Sequence, residues 1–356
     1  MRLAILAHDR FPDRAKTAIG VLRYADHDVV AVIDRATAGD RVTDHVPDLP
    51  DAPIVESMAA AIELAGGDTR RGRDPVPDDV GIDALLIGVA PIGGGFEESW
   101  RPDVRTALET GCDLISGLHA FLAEDEEFAR LATENDADIW DVRRPPADLT
   151  VSEGVADQVD ADVVLTVGTD CSVGKMTATM ELVEAACEAG HDAVAIPTGQ
   201  TGIVIEGWGI PVDRVISDFT AGAVERMIRE TGDDHDLLIV EGQGSITHPA
   251  YSAVTCGILH GAMADRLVLC HAAGRETVGG YESFSLPPVE RTVELYESLA
   301  EPVRPAPVVA GALNTKGMDE VAASTAIEEF GAAIDAPATD PVREDAAALL
   351  PAVVGA

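Results

Sequence analysis

Short apolar runs alternate along the chain with stretches whose apolar residues recur at helical spacing. In the first part this pattern predicts strands at 3–7, 29–33, 84–89 and 113–115, with helices near 15–24, 57–64, 103–110 and 126–135. Arg143-Arg144-Pro145-Pro146 then breaks the pattern and reads as a linker. A fresh alternation follows, with strands at 163–167, 193–196, 237–240, 266–270 and 308–312. Its helices are placed at 174–189, 221–230, 292–299 and 319–330, and a terminal helix over 343–354 is interrupted by Pro351. Strands alternating with helices predict an α/β fold with parallel sheets. The boundary falls near residue 150, so residues 1–150 and 151–356 are expected to form two three-layer domains.

Composition changes the picture mainly through charge. The 356 residues hold 63 Asp and Glu against 25 Lys and Arg, a net charge of −38, and 46% of them are hydrophobic. That apolar share is ample for packed cores. The acid is dispersed along the chain, so it is a surface property and not an interaction tail. Such a surface repels phosphate backbones and anionic lipids, which argues against nucleic acid or a membrane as partner. It reads as adaptation to a salty cytosol, where screening removes the self-repulsion. The start of the chain shows no signal-peptide pattern, so a cytoplasmic location is expected. The five cysteines (Cys112, Cys171, Cys187, Cys256 and Cys270) are widely spaced and read as reduced thiols with no metal-finger pattern.

Only Lys16, Lys175 and Lys316 are lysine, where roughly twenty would be ordinary at this length. Asn is limited to Asn135 and Asn314, and Gln to Gln158, Gln200 and Gln243. Residue types that survive such depletion point to positions chemistry needs.

The strongest motif joins the strand at 163–167 to Gly168-Thr169-Asp170-Cys171-Ser172-Val173-Gly174-Lys175-Met176-Thr177. A glycine-bounded loop turns successive N–H groups inward, the following helix adds its positive end, and Lys175 supplies a mobile charge. This is a phosphate-binding loop; the alternative is a glycine-rich strand-to-helix turn. Five residues separate Gly168 from Gly174, and Met176 stands where a Mg²⁺-binding hydroxyl usually follows the lysine. Thr177 is rotated by about 100° around the helix. The loop is therefore expected to bind a phosphate-bearing molecule without a secure metal ligand. Cys171, near a helix N-terminus, is a candidate acyl acceptor, with a packing role as the default.

Other polar clusters follow the later strands, whose carboxyl ends open onto the ligand crevice of a parallel sheet. Thr198, Gln200 and Thr201 are candidate substrate contacts, against an ordinary polar turn. Glu241 and His248 are candidate general bases, and Gln243 and Ser245 candidate carboxylate or amide holders. Asn314 and Lys316 are candidate ligand contacts, and Arg275 a candidate anion clamp. Asp218 is expected to cap the helix near 220. In the first part, the loop after residue 7 lacks G-x-G-x-x-G, which argues against NAD there. Asp34 looks like a weak ribose-binding acid, Lys16 is a candidate substrate contact, and Ile92-Gly93-Gly94-Gly95 is a candidate close approach to a ligand.

The Gly-Thr-Asp start, the long loop and Glu241-Gly242-Gln243-Gly244 resemble the ATP-dependent dethiobiotin-synthetase branch of P-loop proteins. The full set of Ala15-Lys16-Thr17, the loop 168–177, 198–202, 241–245 with His248-Pro249, and 314–316 resembles one two-domain family, long catalogued as of unknown function. That resemblance covers essentially the whole chain. It implies a Rossmann-like N-terminal domain, a P-loop NTPase-like C-terminal domain, and D-glutamate N-acetyltransferase activity. It implies acetyl-CoA as co-substrate, with the loop and Asn314 and Lys316 on the phosphates, a small amino-acid substrate and a homo-oligomer. ATP with Mg²⁺ belongs to the ligase alternative.

Overall fold

The apolar runs form strands because parallel neighbours bury them on both faces. The structure, a computed structural model, describes residues 1–66, 81–91 and 93–355. Its residues gather into two compact units, Met1–Arg144 with Ile203–Gly207 and Pro145–Gly202 with Trp208–Ala356.

The first unit runs β1 (Arg2–Leu6), α1 (Lys16–Tyr24), β2 (Asp28–Ile33), α2 (Val42–His45), β3 (Ile54–Val55), α3 (Met58–Leu64) and β4 (Ala84–Ile87). It continues with α4 (Arg101–Glu109), β5 (Asp113–Ser116), α5 (Glu126–Asn135) and β6 (Ile139–Asp141). All strand pairs are parallel, in the order β3-β2-β1-β4-β5-β6. That is the Rossmann order, reversing between β1 and β4. Helix starts follow local chemistry: Ser57 accepts from the Ala60 N–H, and Asp125 accepts from the Glu127 and Phe128 N–H groups.

The second unit runs β7 (Asp162–Gly168), α6 (Lys175–Glu188), β8 (Ala193–Ile196), the first turn of α7 (Gln200–Glu206), whose residues from Ile203 group with the first unit, α8 (Thr220–Thr231), β9 (Leu237–Val240), α9 (Ser252–Ala262) and β10 (Arg266–Ala272). After β10 come the hairpin strands β11 (Thr277–Val278) and β12 (Tyr281–Ser285), then α10 (Val289–Ala300), β13 (Val308–Asn314), α11 (Glu320–Ile334), β14 (Ala338–Thr339) and α12 (Leu350–Val353). The parallel sheet has the order β14-β13-β10-β7-β9-β8. β7 is central, and the chain leaves its carboxyl end for the far edge before returning. Two parallel-sheet α/β folds are thus present, as the alternation of apolar runs implied.

Several expectations need correction. Gln200 and Thr201, read as a loop, begin α7. α9 falls outside the helices that the periodicity predicts, because it is apolar on nearly every side. Its Gly257 and Gly261 press against Thr220 and Ala221 of α8, where an added Cβ would lie 2.6 Å from Thr220 Cγ2 and 2.5 Å from the Ala221 carbonyl oxygen. The hairpin β11–β12 likewise falls outside the predicted strands. Pro351 does not interrupt a long terminal helix; it sits in the first turn of the short α12, where its missing N–H is harmless. Asp218 does not cap α8, which starts after Phe219 with no side-chain cap. Asp34 is buried, and its carboxylate accepts from the Asp9 N–H (2.6 Å), the Ala36 N–H (3.2 Å) and the Thr37 hydroxyl (2.8 Å). These bonds pin the turn after β2. Ile92 lies outside the described residues.

The carboxyl end of the first sheet is closed by a buried network. His8 Nε2 donates to Asp103 at 3.0 Å, the Arg35 N–H donates to His8 Nδ1 at 3.3 Å, and Arg35 Nη2 and the Met58 N–H also reach Asp103, at 3.0 and 2.7 Å. Burial pushes the Asp103 carboxyl up, but the bonds from His8 and Met58 and the charge of Arg35 outweigh it and hold it below its ordinary value. A depressed carboxyl contributes stability above its unfolded value, and that contribution is lost as pH falls through the folded one. Asp103→Asn is expected to lose about 2–4 kcal/mol near neutral pH. In denaturant unfolding the gap to wild type should narrow below about pH 4; a gap independent of pH contradicts this account.

In the second unit, a Cβ on Gly242 would lie 1.8 Å from the Thr166 carbonyl oxygen. Backbone cannot yield there, so Gly242→Ala should destabilise by about 2 kcal/mol or more. Gly95→Ala, with none of the described residues within 4 Å of its added Cβ, should stay within about 0.5 kcal/mol of wild type in the same denaturant unfolding.

Candidate functional site

The loop after β7 enters α6 through Gly174, whose φ of 107° only glycine adopts freely. No side chain of Gly174 caps α6, and a helix N-terminus of this kind favours an anion. Lys175 is 7% exposed, and its Nζ donates to the Asp170 carbonyl at 2.8 Å. A Cβ on Gly168 would meet Lys175 Nζ at 2.9 Å, so that glycine leaves room for the ammonium. Met176 is buried and packs inward, Val173 is buried in the core, Thr177 is half-buried and Ser172 is exposed with φ 53°.

Asp170 organises the loop. Its carboxylate is fully buried; Oδ1 accepts from the Cys171 N–H at 2.7 Å. Oδ2 accepts from Arg275 Nη1 and from the Gly279 N–H, both at 2.8 Å. Arg275 Nη1 also donates to the Cys171 carbonyl at 3.0 Å. Arg275 thus ties the turn after β10 to the loop. Thr169 Oγ1 pairs with His271 Nδ1 at 2.7 Å. Burial, then the charge of Arg275, pushes the His271 imidazole down, towards its neutral form.

The other clusters surround this loop from the neighbouring strand ends. Glu241, at the end of β9, accepts through Oε2 from the Thr198 and Gly199 N–H groups at 3.2 and 3.1 Å. Thr198 Oγ1 donates back to the Glu241 carbonyl at 2.6 Å. Gln243 Nε2 donates to the Thr198 carbonyl and, at 3.1 Å, to its hydroxyl. Gly202, in the first turn of α7, comes so close to Glu241 that an added Cβ would sit 2.7 Å from Oε2. Ser245 donates to the Thr169 carbonyl at 3.1 Å. Asn314, at the end of β13, lies beside Gly174, and its Oδ1 accepts from the Lys316 N–H at 3.0 Å. Lys316 is exposed, whereas Lys16 belongs to the first unit, exposed at the start of α1.

His248 is 1% exposed, and one of its ring nitrogens, the Cys171 sulfur and an Asp170 carboxylate oxygen all lie within 4.8 Å of one another. These are metal-ligating groups, but the Arg275 guanidinium already neutralises the same carboxylate. Its ring packs against Tyr251 and Tyr281, at 4.6 and 5.1 Å between centroids. Sequence reasoning missed these aromatics, and it missed Tyr296, which is fully buried and donates to the Gly168 carbonyl at 2.8 Å. Burial pushes that phenol up to about 12, so it stays a neutral prop for the loop. No local motif marks Tyr296, since it is 128 residues away from the glycine it supports. The buried Cys270 thiol is also pushed up to about 12, mainly by burial, which leaves Cys171 as the thiol of the loop.

Among the described residues no helix is long and apolar enough to cross a membrane. The chain is 35% identical over 266 residues to a D-glutamate N-acetyltransferase of a Pseudoalteromonas species, covering 74% of this chain and 79% of that one. It is 36% identical over 274 residues to the D-glutamate N-acetyltransferase of Tritonibacter scottomollicae, covering 77% and 81%. The crystal structure of a DUF1611 family protein from Anabaena variabilis superposes with a TM-score of 0.90 at 39% identity, covering 99% of this chain and 98% of that one. Family models match residues 35–145 as the Rossmann-like domain and 150–350 as the P-loop domain of the same family of unknown function. A Rossmann-ordered sheet, a phosphate-loop sheet and these relatives place the chain in the DUF1611 family.

Proposed function

We propose that the protein transfers an acetyl group from acetyl-CoA to the amine of D-glutamate or a related amino acid, with the loop after β7 holding CoA phosphates. The observation that carries this reading is the phosphate loop whose lysine is followed by the inward-packed Met176. Coenzyme A carries a pyrophosphate and a 3′-phosphate, which need N–H donors and a lysine but no hydroxyl-held Mg²⁺. The relatives named D-glutamate N-acetyltransferase support the reaction class.

In this reading the substrate amine attacks the thioester carbonyl carbon; the C–N bond forms, the C–S bond breaks and CoA leaves as the thiolate. The substrate ammonium first gives up a proton, and Glu241 is the group assigned to take it. Donors around the loop stabilise the oxyanion. Lys316, exposed just after β13, is assigned with Asn314 to the CoA phosphates. Gln243, engaged with Thr198, is assigned to shaping the substrate pocket.

Thiol release in molar salt, with acetyl-CoA and a panel of D- and L-amino acids, tests the reaction. Turnover should peak with D-glutamate or a close relative; no thiol release with any of them rejects it. Lys175→Ala should weaken CoA binding by about 10–100-fold. Tight ATP binding that requires Mg²⁺, with no CoA binding, would instead select the ligase chemistry of dethiobiotin synthetase.

A further inference from the structure

We infer that His248 is a phosphate-binding residue, donating its Nε2–H to a phosphoryl oxygen held by the loop after β7. The inference rests on the phosphate-loop reading above and assigns a role to a side chain that the acyl-transfer chemistry leaves open.

Three observations converge. First, Nε2 of His248 is buried and makes no hydrogen bond among the described residues. A buried donor without a partner is costly, and in a native site it calls for an explanation, of which an absent acceptor is one. Second, the tautomer is fixed by geometry. The Ala250 N–H donates to His248 Nδ1 at 3.1 Å, and a backbone amide nitrogen cannot accept. Nδ1 therefore presents its lone pair, and the neutral ring carries its proton on Nε2. A general base acting through Nε2 needs the opposite tautomer and would lose the Ala250 bond. Third, the ring is held beside the loop: one of its two nitrogens, the Cys171 sulfur and an Asp170 carboxylate oxygen lie within 4.8 Å of one another, and Tyr251 and Tyr281 pack against it.

The acceptor that fits is an anionic oxygen. The loop already offers the uncapped α6 N-terminus and Lys175, and Met176 removes the usual hydroxyl for Mg²⁺. Charge on a bound phosphate must then be met by protein donors, and the His248 ring beside the loop carries an Nε2–H without a partner among the described residues. The shared ligand chemistry is a pyrophosphate, carried by CoA or by a nucleoside diphosphate.

The test is calorimetric titration of the full chain with inorganic pyrophosphate, CoA and ADP, the last with and without Mg²⁺. His248→Phe keeps a ring between the two tyrosines and removes the donor; His248→Gln keeps an amide donor. His248→Phe should weaken pyrophosphate binding by about 10–100-fold, and His248→Gln should recover part of it. Melting of the unliganded variants reports the fold separately. Preference for CoA over ADP identifies the first source, and Mg²⁺-strengthened ADP binding the second. Wild-type affinity in His248→Phe overturns the assignment while leaving the loop reading intact. So does a fall in turnover at unchanged affinity, which would place His248 on the reacting atoms. Equal weakening of both variants with equal losses on melting makes the residue structural and also overturns it. Failure of the wild type to bind any of the three ligands removes the loop reading and this assignment together.

Discussion

The site depends on one buried carboxylate. Asp170 has no exposed surface, yet it meets the Cys171 N–H, the Arg275 guanidinium and the Gly279 N–H, while its own carbonyl receives Lys175. A buried charge survives only when paired and hydrogen-bonded. Each of these partners is therefore locked by the same requirement. The phosphate loop, its lysine and the turn leading into β11 take their positions from it. In a chain of net charge −38, one carboxylate turned inward onto a guanidinium and two N–H groups organises what the outward carboxylates cannot.

The two units treat the carboxyl ends of their sheets differently. In the first, His8, Arg35, Asp103 and Asp34 satisfy one another and nearby N–H groups. In the second, among the described residues, the α6 N-terminus has no side-chain cap and His248 Nε2 no hydrogen-bond partner. Saturated polar groups stabilise; a buried donor without a partner calls for an acceptor. Glu241 stands between these cases. It is anchored by the N–H groups of Thr198 and Gly199, so it fixes the turn after β8 as well as facing the ligand side of the sheet.

Much of this was legible in the sequence. Parallel strands buried on both faces must be apolar runs, and these matched β7, β8, β9, β10 and β13 to within a few residues. The phosphate loop was legible because Gly168, Gly174 and Lys175 are backbone and charge requirements that local spacing expresses. What failed was structure whose cause is not local. α9 carries no amphipathic stripe because its small residues pack against α8, and the hairpin β11–β12 has little burial of its own to mark it.

Sequence by itself determined the alternation of strand and helix, the loop with its missing hydroxyl, and the scarcity that singles out Lys175. These are periodicities and spacings of neighbouring residues, set by local sterics and burial. Only the tertiary structure decided which distant groups meet: Arg275 on Asp170 across 105 residues, Tyr296 under Gly168 across 128, and His248 beside Cys171. It also decided which nitrogen of His248 carries the proton, through a single amide at Ala250. Hydrogen bonding is directional and short-ranged, so these outcomes depend on where β7, β9 and β10 end in space, which no spacing along the chain encodes.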